Sequence, residues 1–450
     1  MSYSPSLTYF LDRLQGFSTN IFRLETQNND TATANKILRF SMPSNALLNM
    51  RSFALHFSAT TAGTDAGARL PRKIDTLIER VEVTAGGVQL SQGLNYYNVL
   101  RHAKDALLGS KTSSVCGHPE IMRDECYVDA TAALTGTQNE VYASTNKQAQ
   151  FTIDQWEGFI GTCEPKIIDA AILPDIVISI YLADNNVLTS SLGVGLDGAG
   201  DADITDNGNG AATYELNHIH ATIESIGLAD AVYDNMVSAM IAQKGFLEIP
   251  FKQYVGFSNT HSGSTRFSVA TQSLDRIWFA FRATNFATQQ APNTVVGHIV
   301  HGSTQGTINS GQFGTSKEKY IGPYYEFKAP TAVGNTAVSY QLQLNGAYYP
   351  QFPMTAEEMY SISKNSTLGQ YQEHEMTLEQ YKGHFFVGCA RLNMPESEFS
   401  RTLSGLDTRS IALQGYLNTN NQSGTSNLVI FCEMTSTLRV GAGRMLEVVV

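Results

Sequence analysis

Phe53, Leu55 and Phe57 alternate with Ala54, His56 and Ser58, and this two-residue beat is the feature that most limits what the chain can become. Successive side chains of a strand point to opposite faces, so strict alternation marks a strand with one face buried and one face wet. The beat returns along most of the sequence. Met50–Ser58, Thr76–Thr84, Gln148–Ile153, Ile176–Leu182 and Tyr214–Ile226 read as strands in the first half. Phe246–Val255, Thr265–Thr271, Arg276–Arg282, Ser339–Asn345, His384–Leu392, Ile411–Leu417, Asn427–Thr437 and Met445–Val450 follow in the second. Helical spacing is rare by contrast. Leu94–Leu108 places Tyr97, Leu100, Ala103, Ala106 and Leu107 on one side of a helix, and Asp230–Lys244 reads as a helix stopped by Gly245. Thr355 with Glu358 three residues on is a capping box opening a helix over Thr355–Ser363, and a fourth helix is expected over Leu368–Tyr381.

A single core stops growing near roughly 250–300 residues, so a chain of 450 needs two. About eight short strands in each half is what a pair of jelly rolls requires. The expectation is an all-β chain of two consecutive eight-stranded jelly-roll sandwiches, one over 1–244 and one over 245–450. The first would carry an N-terminal arm and a linking helix at about 230–244. Two long segments rich in Gly, Asp, Asn and Ser, 189–212 and 285–322, read as loops carried by this scaffold.

Charge narrows the partners. Charged residues make up 16% of the chain, low against an average near 25%, while 37 Gly, 20 Tyr and 22 Phe favour sheets, tight turns and protein–protein contact. A formal net charge of −11 with no run of Lys and Arg repels a phosphate backbone, so sequence-specific nucleic-acid binding is not expected. No stretch approaches ~18 uninterrupted apolar residues, and Met1 to Pro5 lacks the basic and apolar regions of a secretory signal. The five cysteines are scattered without a CxxC pair, as in a protein made in a reducing cytosol. On that basis Asn29, Asn365 and Asn421 match the glycosylation pattern by chance.

Motifs for chemistry are sparse. Gly193 to Gly198 spells GxGxxG, but a Gly/Asp/Asn-rich loop follows where a dinucleotide site needs a helix N-terminus. Asp197, Asp201, Asp203 and Asp206 are weak candidates for calcium, since the spacing lacks both the Gly and the closing Glu of an EF-hand; a solvated acidic loop is the plainer reading. His218 and His220 share a strand face, and His298 and His301 form a looser pair, each short of a third zinc ligand. There is no nucleophile elbow, HExxH helix or phosphate loop, and acidic pairs such as Asp124–Glu125 and Glu357–Glu358 sit in ordinary polar contexts. No enzyme activity, cofactor or catalytic residue is expected.

Four stretches of the second half resemble one family. They are Phe267–Arg276 leading into Ile277–Arg282; Ser339–Asn345 followed by Tyr348–Pro353 and a short helix; Ser404–Ser410 with the strand and Asn418–Asn420 after it; and Glu433 through Arg444. Together they resemble the major capsid proteins of double-jelly-roll DNA viruses, in particular the virophage and Polinton-like group, with related lipid-containing phages beside it. The resemblance covers roughly 265–450; upstream only the order of elements matches. It implies two jelly rolls standing side by side, three chains forming a homotrimer with a pseudo-hexagonal outline, and trimers tiling an icosahedral shell. Neighbouring capsomers, penton and minor capsid proteins and, in some members, an internal membrane are the implied partners. The location implied is the virion, after synthesis in the host cytoplasm. The aromatic-rich bend with Tyr348, Tyr349 and Phe352 is then the candidate subunit contact, against internal packing as the plainer role. Tyr9 and Phe10 near the start are candidates for an arm reaching a neighbour, against a frayed terminus. The alternative is a carbohydrate-binding or adhesive β-sandwich, which calcium-dependent glycan binding would mark.

Overall fold

In a computed structural model of the chain, residues 17–28, 30–44, 46–62, 74–91, 94–108, 149–188, 193–196, 202–205, 213–228, 231–282, 298–299, 319–320, 327–366, 378, 381–382, 385–394, 403–409 and 413–450 are described. Sixteen principal strands account for about half of them. The first eight are β1 (Phe17–Glu25), β2 (Ile37–Ser41), β3 (Leu47–Ala62), β4 (Ile78–Ala85), β5 (Val88–Ser91), β6 (Ala149–Ile153), β7 (Ile176–Leu182) and β8 (Thr213–Leu228). The second eight are β9 (Phe246–His261), β10 (Ser264–Val269), β11 (Leu274–Arg282), β12 (Ser339–Leu344), β13 (Ala347–Thr355), β14 (Val387–Arg391), β15 (Leu413–Asn420) and β16 (Ser426–Gly441).

Pairing follows one plan twice. The first eight make sheets ordered β1-β8-β3-β6 and β2-β7-β4-β5; the second eight make β9-β16-β11-β14 and β10-β15-β12-β13. Counting one to eight in each half, both read 1-8-3-6 facing 2-7-4-5, the double Greek key of a jelly roll. All pairs are antiparallel, with Ala32–Thr33 and Ile167–Asp169 added to the first sheet and Leu446–Val449 to the third. Alternation decides which side chains fill each sandwich. In β7 every second residue from Ile176 to Leu182 is buried, and Tyr340, Leu342 and Leu344 do the same in β12. In the second sandwich Phe281 of β11 packs on Tyr340 of the facing sheet and on Phe386 beside β14 of its own. Burying such a side chain contributes about 1.5–3 kcal/mol.

Three helices of three turns or more occur among the described residues: α1 (Tyr97–Leu108) between β5 and β6, α2 (Ala231–Lys244) between β8 and β9, and α3 (Ala356–Ser366) between β13 and β14. Gly245, at φ 82°, donates its N–H to the Ile241 carbonyl and ends α2 in a left-handed turn that a side chain disfavours. Thr355 and Glu358 exchange the two capping-box hydrogen bonds at the start of α3. Of the helix expected over 368–381, only Leu378 and Tyr381 are described.

Several expectations change. The run Thr76–Thr84 opens as a 3-10 turn, Ile74–Leu77, and the strand itself is Ile78–Ala85. Tyr348–Pro353 lies within β13, an edge strand, and the expected bend is an irregularity in it, where the pairing with β12 jumps from Tyr349 to Met354. Its Pro350 and Pro353 hid it, because proline removes ladder donors and survives in sheets chiefly at edges. Strands β1, β2 and β5 were not foreseen. The four residues of β5 are too few to show a period, and β1 carries Ile21 on one face with Phe22 and Leu24 on the other. Within 189–212, Gly193–Leu196 pairs with Ala202–Thr205 as a small hairpin, so the GxGxxG match begins as a strand. In 285–322 the described residues are His298–Ile299 and Lys319–Tyr320, which pair with each other.

Candidate assembly interface

The two sandwiches meet through α1. The expected apolar face, Tyr97, Leu100, Ala103 and Leu107, is buried, but so are Asn98, Val99 and Arg101. A helix covered on nearly every side has two neighbours. One is its own sandwich; the other is the outer face of β9, β16, β11 and β14.

That outer face is built from the side chains that point away from the second core. Gly256, Phe431, Trp278 and Cys389 lie directly opposite one another across the four strands, and Tyr254, Glu433, Arg276 and Arg391 form the next row. Gly256 is exposed at the margin of this face, where a Cβ would stand 2.8 Å from Leu94 Cδ1 of the first sandwich and 3.3 Å from the Phe431 ring. Phe159, in the helical turn Phe159–Thr162, stacks edge-on against Phe251. The Glu164 N–H donates to the Pro250 carbonyl, and the Lys252 N–H to Thr162 Oγ1. Tyr96 receives the Arg282 guanidinium over its ring.

Inside this seam lies a buried ionic network. Arg101 bridges Asp75 and Glu157, each at 3.2 Å; Lys104 Nζ donates to Glu157 at 2.7 Å and to Tyr254 Oη at 2.9 Å; the Tyr254 hydroxyl donates to Glu157 at 2.7 Å. On the far side Arg276 and Trp278 Nε1 both donate to Glu433 at 2.9 Å, and Lys252 pairs with Asp275 at 2.7 Å. Arg101, Lys104, Lys252 and Arg276 balance Asp75, Glu157, Asp275 and Glu433. Burial alone would raise the Glu433 carboxyl, but Arg276, Lys104, Lys252 and the Trp278 N–H hold it at about 2. Glu157 is likewise pulled down by Lys104 and Arg101 against its burial. Burial and the neighbouring Glu157 push the Tyr254 hydroxyl up, so it stays a donor. Ions as dry as these contribute little net stability, yet removing one strands its partner. The network therefore fixes how the sandwiches seat.

The side chains named from sequence fall elsewhere. Tyr348, Tyr349 and Phe352 are 48%, 40% and 52% exposed along β13. Beside them a cleft of about 220 Å³ opens between β12, β13 and α3, lined by Tyr340, Leu342, Tyr349, Pro350, Met354 and Met359. Tyr9, Phe10, Asp197, Asp201 and Asp206 lie outside the described residues; Asp203 is placed in its hairpin strand as backbone only. His301 lies outside as well. His218 sits at φ 55° in a bulge, close to Ser58 Oγ at 3.3 Å, while His220 stacks on His56 with ring centroids 5.1 Å apart. The partner of His220 is thus His56, on a strand some 160 residues away, which no spacing rule could reveal. His56 sits between the Thr152 and Thr222 hydroxyls, at 2.9 and 2.8 Å, and burial beside His220 lowers its pKa. Among the described residues no three His, Cys, Asp or Glu side chains converge as metal ligands would, and no helix is long and apolar enough to cross a membrane.

No family model and no curated protein matches the sequence. The fold has clear counterparts. The PBCV-1 protein VP54, fitted into a reconstruction of the virophage Sputnik, superposes with a TM-score of 0.56 at 13% identity, covering 98% of this chain and 99% of that one. The PBCV-1 virus capsid model gives 0.55 at 12%, covering 98% and 99%. The Faustovirus major capsid protein gives 0.54 at 9%, covering 96% and 92%. With its strand order repeated twice and its whole length matched, this chain has the double-jelly-roll fold of viral major capsid proteins.

Proposed function

We propose that this chain is a major capsid protein, acting as a homotrimeric capsomer that tiles an icosahedral shell. The observation that carries the reading is the duplicated 1-8-3-6 and 2-7-4-5 strand order, matched end to end by capsid proteins. A buried, ion-paired seam that seats one sandwich on the other suits a rigid tile better than a hinged binding protein. The chain divides into functional halves at 244/245, each presenting one sandwich to the shell. Exposed apolar edges supply the contacts, with Tyr348, Tyr349 and Phe352 at a subunit seam. Tyr9 and Phe10 belong to an arm reaching a neighbour. Neighbouring capsomers, penton and minor capsid proteins and, where the virus has one, an internal membrane are its partners. The work is binding, without catalysis, in virions assembled after synthesis in the host cytoplasm.

The test is light scattering on the purified chain, followed by negative-stain imaging. A stable species of three times 49.1 kDa with a hexagonal outline is the expected result. A folded chain that stays monomeric at high concentration would overturn the proposal.

A further inference from the structure

Three of the chain's ten histidines gather at one irregularity, where the pairing of β8 with β3 slips between Asn217 and His220. His218 stands in that bulge at φ 55°, a left-handed conformation that strains a residue bearing a side chain. Two imidazole hydrogen bonds hold it there. His220 Nδ1 donates to the His218 carbonyl at 3.0 Å, and His218 Nδ1 lies 3.3 Å from Ser58 Oγ. The Ser58 hydroxyl gives its own hydrogen to the Asn217 carbonyl, so His218 Nδ1 is the donor in the second bond. Past the bulge, His220 and His56 stand directly opposite each other on neighbouring strands, their rings stacked at 5.1 Å with 22° between the planes. His56 reaches the Thr152 and Thr222 hydroxyls through its two ring nitrogens. As a neutral ring it donates through one nitrogen and accepts through the other.

Acid changes this arrangement at two points. A proton on His56 makes both ring nitrogens donors, so one threonine hydroxyl must turn its hydrogen away. A proton on each ring sets like charges directly opposite across two strands, which destabilises the pair. The surroundings offset little of that charge. Glu25, next to His220 in the row, is held by Arg23 at 2.6 Å, and Arg23 adds a positive charge of its own. Asp154, just past β6, is exposed, and Glu224, further along β8, is bonded to Asn49. Burial, then His220 and Arg23, lower the His56 pKa, with Asp154 alone pulling the other way.

We propose that His56, His218 and His220 form an acid-operated latch on β8. Neutral, they hold the bulge closed between β1 and β3; with both stacked rings charged, the strand opens locally over 217–222. The latch is full above the ordinary histidine value of about 6.5 and fails as the pH falls below it. The equivalent sheet of the second sandwich pairs its buried charges with opposite ones, Arg276 with Glu433 and Lys252 with Asp275, and has no stacked histidines among the described residues. The inference goes beyond the capsid reading and holds for a single chain, assembled or not. In a shell it separates a tight neutral form from a looser acidic one.

The test is amide hydrogen exchange read by mass spectrometry on the full chain at about pH 7.5 and about pH 5, corrected for the pH dependence of the intrinsic rate. On acidification, protection over 216–223 is expected to fall by about tenfold more than protection over 428–434 of β16. His56→Gln keeps a group that can bond to the threonines but takes no proton, and should remove that difference. Exchange at the imidazole C2 position then gives the titration midpoint of each histidine, including those of the unaltered chain. His220→Gln is expected to raise the midpoint of His56, because it removes the neighbouring charge. Equal changes in 216–223 and 428–434 would overturn the latch. So would a fall as large in His56→Gln as in the unaltered chain, or a His56 midpoint indifferent to His220→Gln.

Discussion

The outer faces of the two long-stranded sheets share a topology and differ in almost everything else. On the second sandwich the face carries Trp278, Phe431, Ala280 and a Glu433 clasped by Arg276, all buried under α1. On the first it carries His56, His220, Thr152 and Thr222, half-buried and hydroxyl-lined. Strand order therefore does not dictate what a face is for. A face sealed within one chain at folding can be apolar and can hold ions that never see water again. A face left open to water keeps polar groups satisfied on its own strands. Histidine makes the same point. His56 and His261 each bridge two threonine hydroxyls, but His56 does so on the open face and His261 at the closed end of β9, between Thr265 and Thr419 at 2.8 Å each.

The sharpest way to break the comparison is to remove an acid from each face. Glu433→Ala removes the carboxylate that accepts from Arg276 and from the buried Trp278 N–H in the seam, and should cost about 3–5 kcal/mol in urea unfolding. Glu224→Ala on the first sandwich loses a half-exposed bond to Asn49 and should cost less than about 1 kcal/mol. Equal losses would mean that the sealed and open faces are energetically alike.

Acid titration separates the two histidines. Burial holds His261 at about 4 against an ordinary 6.5. The unfolded chain then binds a proton first, so stability is full above pH 6.5 and falls as pH drops towards 4. His261→Gln should flatten stability against pH in that window, whereas His56→Gln should change the slope less. A wild-type profile flat from pH 6.5 to 4 would refute the assignment.

Gly256→Val tests the fit of the seam itself. Its Cβ would press on Leu94 and Phe431, and the expected loss is about 1–3 kcal/mol. The smallest effect is expected at the cap of α3. Thr355→Ala should lower the unfolding midpoint by the equivalent of about 1 kcal/mol.

Much of the molecule was legible before any coordinates. Ile176–Leu182 became β7 without adjustment, Gly245 stopped α2, and Thr355 with Glu358 opened α3. These features are local: alternation, a left-handed turn and a three-residue cap act within a few residues of themselves. Strand β13 escaped notice because Pro350 and Pro353 are edge-strand residues, and nothing local says which strand will be an edge. Helix α1 was read with one apolar face, whereas its Asn98 and Arg101 are also buried, bonded to Thr76, Asp75 and Glu157 from distant parts of their own sandwich. At the candidate interface, Tyr348, Tyr349 and Phe352 were visible as exposed-type aromatics, while Glu157, Lys104, Tyr254 and Glu433 gave no signal at all.

By itself, then, the sequence determined where most of the longer alternating strands run, where α2 stops and α3 starts, and that the chain holds two β-rich halves. Those are decided by the period of hydrophobicity and by backbone chemistry at single residues. Tertiary structure alone decided that β8 lies between β1 and β3, that Gly256 makes room for Leu94, and that His56 meets His220. Those outcomes join residues more than a hundred positions apart. They depend on which faces pack and exclude water together, a condition that no local stretch of sequence can express.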